Sequence, residues 1–244
     1  MTPLLLLHGY AGHPDDFGAV AARLPAGSRA LAEPIYGHRG HPETGALCFE
    51  DELDRLASRL RELALPPLHV AGYSLGGRLA LGLVARHPAL VARATLIGSQ
   101  PGLRTEAERE ARRRADAAWI ELLERQGVGA FAEAWEAQPL FASQRSLPAA
   151  ALATVRARRR RHDPFGLAEA MRRLGLGAMP DLWPALPRVR VPVTLVHGEL
   201  DSKFGGLAQE MAASLPSARV VEIPKAGHNP VLERPEAILE LLCN

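Results

Sequence analysis

The chain has 244 residues, a length that fits one large α/β domain carrying an insertion. Hydrophobic residues at 47% and charged residues at 23% are ordinary for a globular enzyme, and a formal net charge of +2 gives no global case for nucleic acid. Cys48 and Cys243 are too few for a disulfide framework and stand in no metal-ligand spacing.

The first residues, Met1-Thr2-Pro3 and four leucines, have no basic start, and the apolar run is too short for a signal peptide. No later run approaches the length of a membrane span, so a cytoplasmic location is expected. Leu4–Leu7, ending at His8-Gly9, reads as a buried parallel strand. Residues 29–33, closed by Pro34, are a second strand, and a helical pattern runs from Phe49 to just before Pro66-Pro67. Residues 68–71 are a third strand, followed by Gly72-Tyr73-Ser74-Leu75-Gly76-Gly77-Arg78 and a helix-like run over 79–87. Residues 92–97 are the next strand, closed by Gly98-Ser99-Gln100-Pro101-Gly102. This alternation predicts a mostly parallel, doubly wound sheet. From 103 to 186 no strand is evident. The stretch is rich in Ala, Arg and Glu at helical spacing, with breaks at Gly127, Gly129, Pro139, Pro148 and Pro164. Strands resume at 191–196 and 219–223. The expected organisation is a core of residues 1–100 and 187–244, with residues 101–186 as a helical cap over the active site. The arginine-rich run 156–161 reads as a solvated helix face.

A G-x-S-x-G segment between strand and helix is the nucleophile elbow of the α/β hydrolases. Gly72 and Gly76 remove the Cβ atoms that would clash in a tight turn, and Ser74 is held at the sheet edge, where a helix begins. Read alone, the segment could equally be a glycine-rich turn whose serine caps the helix. Asp201 and His228 decide between the two. Each follows a predicted strand, and the order Ser, Asp, His is the one this fold demands. The backbone N–H groups of Tyr10 and Leu75 are the expected oxyanion hole. His8 is expected to structure the loop that carries Tyr10. His13, His38 and His41 read as surface or loop residues. No metal-ligand motif and no dinucleotide fingerprint is present, so no cofactor is expected.

Beyond the triad, the chain resembles the 2-succinyl-6-hydroxy-2,4-cyclohexadiene-1-carboxylate synthases of menaquinone biosynthesis, a branch of the α/β hydrolases. The elbow carries that family's Tyr73 and Arg78. Pro101-Gly102-Leu103 begins the cap as it does there, and Arg109, Arg112, Asp116 and Trp119 follow at the spacing of its first cap helix. Trp135-Glu136-Ala137-Gln138-Pro139-Leu140-Phe141 matches its W-x-x-Q-P-x-F segment. Gly198-Glu199-Leu200-Asp201-Ser202-Lys203-Phe204 and Ala226-Gly227-His228-Asn229 match its acid and histidine segments. The arm before Leu4 is too short for the two leading strands of larger relatives, so a truncated sheet is expected. Where the family has an Asn-rich or Asn-Pro segment, this chain has His162-Asp163-Pro164. That departure leaves Arg158, Arg159 and Arg160 all open for the substrate-binding place, with Arg159 favoured.

The resemblance implies a lyase that eliminates pyruvate from 2-succinyl-5-enolpyruvyl-6-hydroxy-3-cyclohexene-1-carboxylate. His228 would raise the basicity of Ser74, Asp201 would hold the imidazole, and Ser74 would act as base with no acyl-enzyme. The substrate is a small tricarboxylate, and arginine forks suit carboxylates. Tyr73, Arg78, Arg112, Trp135 and Arg159 are the expected substrate-binding residues. For Arg112 the competing role is a helix ion pair with Glu108, four residues earlier. Trp119 reads as a packing anchor. Glu199 remains a second candidate for the triad acid. A carboxylester or thioester hydrolase on the same triad is the alternative activity. No nucleic-acid or membrane partner is expected, and a monomer is the default.

Overall fold

Four consecutive leucines form the first strand, β1 (Leu4–Leu7), and every one is buried. A strand covered on both faces needs no polar alternation, and this one has none. In the computed structural model, which describes residues 2–42 and 45–243, the strands that follow are β2 (Ala30–Glu33), β3 (Leu68–Tyr73), β4 (Val91–Ile97), β5 (Val193–Gly198) and β6 (Ala218–Ile223). The expected outer limits at residues 1 and 244 lie outside the described residues. Among the described residues the sheet has six strands in the order β2-β1-β3-β4-β5-β6, and every pairing is parallel.

The strands fall close to their expected positions. β5 starts at Val193, two residues later than read, because Pro192 has no N–H to donate. Only its carbonyl is used, accepting from Ala94 N–H at 3.0 Å.

The helices are α1 (Gly18–Ala21), α2 (Phe49–Glu62), α3 (Leu75–Arg86), α4 (Glu106–Glu136), α5 (Ala149–Arg159), α6 (Pro164–Leu174), α7 (Ser202–Ser214), α8 (Pro230–Glu233) and α9 (Pro235–Cys243). Alternate residues of β1 serve opposite faces, as strand geometry requires. Leu5 and Leu7 pack with α2 and α3, whereas Leu4 and Leu6 pack with Val20 of α1 and with Ile238 and Leu242 of α9. Helix layers therefore cover both faces.

No described strand lies between β4 and β5. α4 opens on a capping box, in which Glu108 N–H donates to Thr105 Oγ1 at 3.2 Å and Glu108 Oε2 accepts from Thr105 N–H at 2.8 Å. It kinks at Gly127, whose φ of 79° leaves the helical region. Leu123, Phe131, Leu167, Ala168 and Met171 of α4 and α6 form a separate apolar cluster with Ala11. From the end of α6 the chain returns to the sheet, where Leu174 of α6 and then Leu176, Met179 and Leu186 join the cluster that contains Leu5 and Leu7.

The order of strands places the site. From β1 the chain moves outward to β2, then returns to β3 on the other side of β1. The carboxyl ends of β1 and β3 are thus neighbours with diverging connections, the crevice where open α/β sheets bind ligands.

Candidate active site

Ser74 leaves β3 with φ 52° and ψ −108°, a strained conformation for a residue with a side chain. Its surroundings explain why the turn holds. A Cβ at Gly72 would strike the Gly76 carbonyl, and a Cβ at Gly76 would strike the Leu7 carbonyl. Ser74 N–H donates to Ile97 O at 2.8 Å, and Ser74 O accepts from Arg78 N–H at 3.1 Å. Leu75 is the first residue of α3, so its N–H has no acceptor within the helix. The loop after β1 runs alongside, because a Cβ at Gly9 would sit 3.6 Å from Ser74 Cβ. This brings the Tyr10 and Leu75 segments to the same side of the serine.

His8 braces that loop. Its Nε2 accepts from Ile35 N–H at 3.3 Å, which leaves Nδ1 as the protonated nitrogen that donates to Gly9 O at 2.8 Å. Of the two alternatives read for His38 and His41, surface or loop, loop is the one that holds, for neither side chain is exposed. His38 Nε2 accepts from Ala11 N–H at 2.9 Å, and His41 is enclosed beside Glu52 at 3.2 Å. Polarity misleads here because the imidazoles serve as hydrogen-bonding braces under a buried loop.

His228 and Asp201 are both buried, with His228 Nδ1 donating to Asp201 Oδ2 at 2.7 Å. Asp201 Oδ1 accepts from Phe204 N–H at 3.3 Å, so one carboxylate caps α7 and orients the imidazole. Glu199 instead accepts from Lys225 N–H at 2.7 Å, so of the two candidate acids Asp201 is the one on the histidine. Gly98, at φ 55°, lets the histidine approach, since a Cβ there would lie 3.0 Å from His228 O. Ser74 Oγ makes no hydrogen bond to another described residue. Ser74 and His228 line one cavity, and such contacts often close only when substrate arrives.

That cavity is also lined by Tyr10, Tyr73, Leu75, Arg78, Arg112, Asp116, Trp135, Phe141, Lys203 and Phe204. Arg78 is the central cation. Its Nη1 donates to Leu174 O at 3.1 Å and meets Met179 Sδ at 3.5 Å. Among the described residues no carboxylate lies within ion-pair distance of it. Burial, then the neighbouring Arg112, pulls its pKa down to about 9, so it stays charged at neutral pH. Arg112 is paired with Asp116, Nε to Oδ1 at 2.9 Å, and not with Glu108, which the Thr105 cap has taken. Burial pushes the Tyr73 and Tyr10 hydroxyls well above the usual range, Asp116 adding to the effect at Tyr10, so both stay neutral.

Arg159 lies elsewhere. It lines an adjoining cavity with Arg158, Asp16 and His8, which shares Tyr10, Tyr73, Trp135 and Phe141 as a common wall. Arg159 pairs with Glu136 at 2.6 Å and Arg158 with Asp16 at 3.3 Å, yet the buried Nε of each lacks an acceptor. Arg160 points away, pairing with Glu133 at 2.9 Å. Trp119 packs on Phe131 and Trp135, as an anchor should. Among the described residues no group of three or more His, Cys, Asp or Glu could hold a metal, and no helix is long and apolar enough to cross a membrane.

Residues 4–241 match the alpha/beta hydrolase family. The chain belongs to that family. Among its members, it is 33% identical to 2-succinyl-6-hydroxy-2,4-cyclohexadiene-1-carboxylate synthase of Enterobacter sp. strain 638, over 98% of this chain and 89% of that protein. The same enzyme of Klebsiella pneumoniae is 32% identical over 98% of this chain and 91% of its own. The structure of MenH from S. aureus superposes with a TM-score of 0.94 at 27% identity, covering 99% of this chain and 91% of that one.

Cavity residues of this alpha/beta hydrolase with no role assigned from the sequence include Asp116, Phe141, Lys203 and Phe204. Each stands inside a segment matched to the synthase branch, which was the available signal.

Proposed function

We propose that this protein is a carbon–oxygen lyase that releases pyruvate from 2-succinyl-5-enolpyruvyl-6-hydroxy-3-cyclohexene-1-carboxylate, forming 2-succinyl-6-hydroxy-2,4-cyclohexadiene-1-carboxylate. The observation that carries the reading is Arg78, a buried guanidinium without a carboxylate partner among the described residues, in the cavity that holds Ser74 and His228. A buried unpaired charge is costly, and an anionic ligand would neutralise it. A neutral ester would not. The relatives that bear the synthase name support the same assignment.

The bond changes define what the residues must do. The substrate has a double bond between ring carbons 3 and 4, and the product has two, at 2 and 4. A proton leaves carbon 2, next to the succinyl carbonyl. Its electron pair forms the 2,3 bond, the old double bond moves to 4,5, and the carbon 5 to oxygen bond breaks. The departing enolpyruvate takes a proton and becomes pyruvate. Ser74, deprotonated by His228, is the base for carbon 2, and Asp201 keeps the His228 proton on Nδ1 so that Nε2 can accept. Charge that builds on the succinyl oxygen is met by the N–H groups of Tyr10 and Leu75. Arg78 and Arg112 hold carboxylates, Tyr73 and Trp135 wall the ring, and the helices between β4 and β5 act as a cap that excludes water. Arg159 serves from the adjoining cavity. The substrate is a free cytoplasmic tricarboxylate.

The test is pyruvate release from that substrate, with a p-nitrophenyl ester assayed in parallel. Fast pyruvate release with poor ester cleavage is expected, and Ser74→Ala should lose about 10³-fold or more in kcat while remaining folded. Fast ester cleavage with no pyruvate above background would replace the lyase by a hydrolase.

A further inference from the structure

We infer that Lys203 is a third carboxylate-binding residue of the Ser74 cavity, holding a carboxylate of the bound substrate at the cavity rim. This rests on the lyase reading above. Lys203 lines the same cavity as Ser74, Arg78 and Arg112, whereas Arg159 lines the adjoining one. A substrate with three carboxylates thus meets three cations in the chamber where its chemistry occurs.

Two further observations show that Lys203 is not placed for stability. It is the second residue of α7, one position after Ser202. The first turn of a helix carries the positive end of the macrodipole, so a cation there is disfavoured. Nor does it have an ion-pair partner among the described residues. Its ammonium stands 5.5 Å from the Phe204 ring, a contact that leaves its hydrogen-bond donors free. A residue that opposes a local structural preference for no more than one long ring contact is expected at a functional site.

The sequence points the same way. Lys203 and Lys225 are the only lysines in a chain whose other basic side chains, histidine apart, are arginine. A background that favours arginine so strongly leaves few lysines by drift. An ammonium on a flexible four-carbon stem can follow a carboxylate at the mouth, where a rigid fork would demand one geometry. Arg78 and Arg112 would seat the ring end, and Lys203 would reach the carboxylate nearest the solvent.

The test is steady-state kinetics of Lys203→Ala and Lys203→Arg on the enolpyruvyl substrate, with thermal unfolding of each variant alongside. Lys203→Ala should raise KM about tenfold, the worth of one charge-assisted contact, with kcat within about twofold of the parent. Its melting temperature should not fall. Lys203→Arg should recover part of the lost affinity. A Lys203→Ala enzyme with parental KM would overturn the inference while leaving the lyase intact. A parent enzyme that releases no pyruvate would overturn the lyase reading and this inference with it.

Discussion

Arg78, proposed above to hold a carboxylate, is poorly served by the fold around it. Its guanidinium is buried, bonded to one carbonyl and one thioether sulfur, and faces another arginine. Asp116 offsets this charge only through the field, with no carboxylate at ion-pair distance among the described residues, so Arg78→Met should stabilise the protein by about 1–2 kcal/mol in urea unfolding. The same change should lower kcat/KM for the tricarboxylate by about 10²-fold or more, because two charge-assisted bonds are lost. A variant both less stable and fully active would show that Arg78 serves packing alone. At this scale the sequence was informative where a residue had a strict geometric task, as at Ser74, Asp201 and His228. It was ambiguous where several partners were at equal spacing. Glu108 and Asp116 both lie four residues from Arg112, and only the capping box, which occupies Glu108, leaves Asp116 for the pair.

The same contrast holds for whole elements. Apolar runs placed the central strands, because a buried parallel strand needs little beyond continuous hydrophobicity, whereas the edge strands β2 and β6 carry charged residues and are only partly buried. The arginine run at 156–161 was harder. Its composition was plain but its phase on the helix was not. In α5 and just beyond it, Arg156 and Arg160, four apart, turn outward to Glu136 and Glu133, while Arg158 and Arg159 turn toward the second cavity. The reading of a solvated face therefore holds for only part of the run. α8 offers a clean test of how a short element can secure a functional loop. Glu233 is buried, and its carboxylate accepts from Gly227 N–H at 2.7 Å and from Asn229 N–H at 3.2 Å. These are the amides on either side of His228. Glu233→Ala should cost about 2–4 kcal/mol by chemical denaturation, since two amides lose their acceptor. Glu233→Gln retains one carbonyl oxygen and should cost less. Equal losses for the two variants would mean that shape, not hydrogen bonding, holds the loop.

Over the whole molecule, the buried histidines should set the response to acid. Ring contacts link His8 to His38 at 4.9 Å and His38 to His162 at 5.4 Å, in a line under the loops that carry Tyr10 and Arg39. Burial pulls His8 and His162 down to about 3 and His38 well below its ordinary value. Their unfolded values lie near 6.5, so between about pH 6.5 and 3 the unfolded chain binds more protons than the folded one, and stability must fall as pH falls. At pH 5 His8 and His162 each forfeit about 2 kcal/mol relative to neutral pH, taking 1.36 kcal/mol per unit, and His38 acts in the same direction. Carboxylates act lower. Asp54, which the Arg86 hydrogen bonds hold at about 2, contributes stability that is lost only below its ordinary 3.8. Asp16, raised by burial, works in the opposite sense as its carboxyl takes up a proton. In the window from pH 6.5 to about 4.5 the buried imidazoles all lower stability as pH falls, and together they outweigh the opposing Asp16. Thermal unfolding should show a steady drop in Tm across this window, and His162→Asn, which can keep an acceptor for Arg39 N–H, should flatten the slope by about one proton. A Tm unchanged from pH 7 to 5 would require these histidines to reach water when charged, and the braced loop beside Ser74 would then have to open in acid.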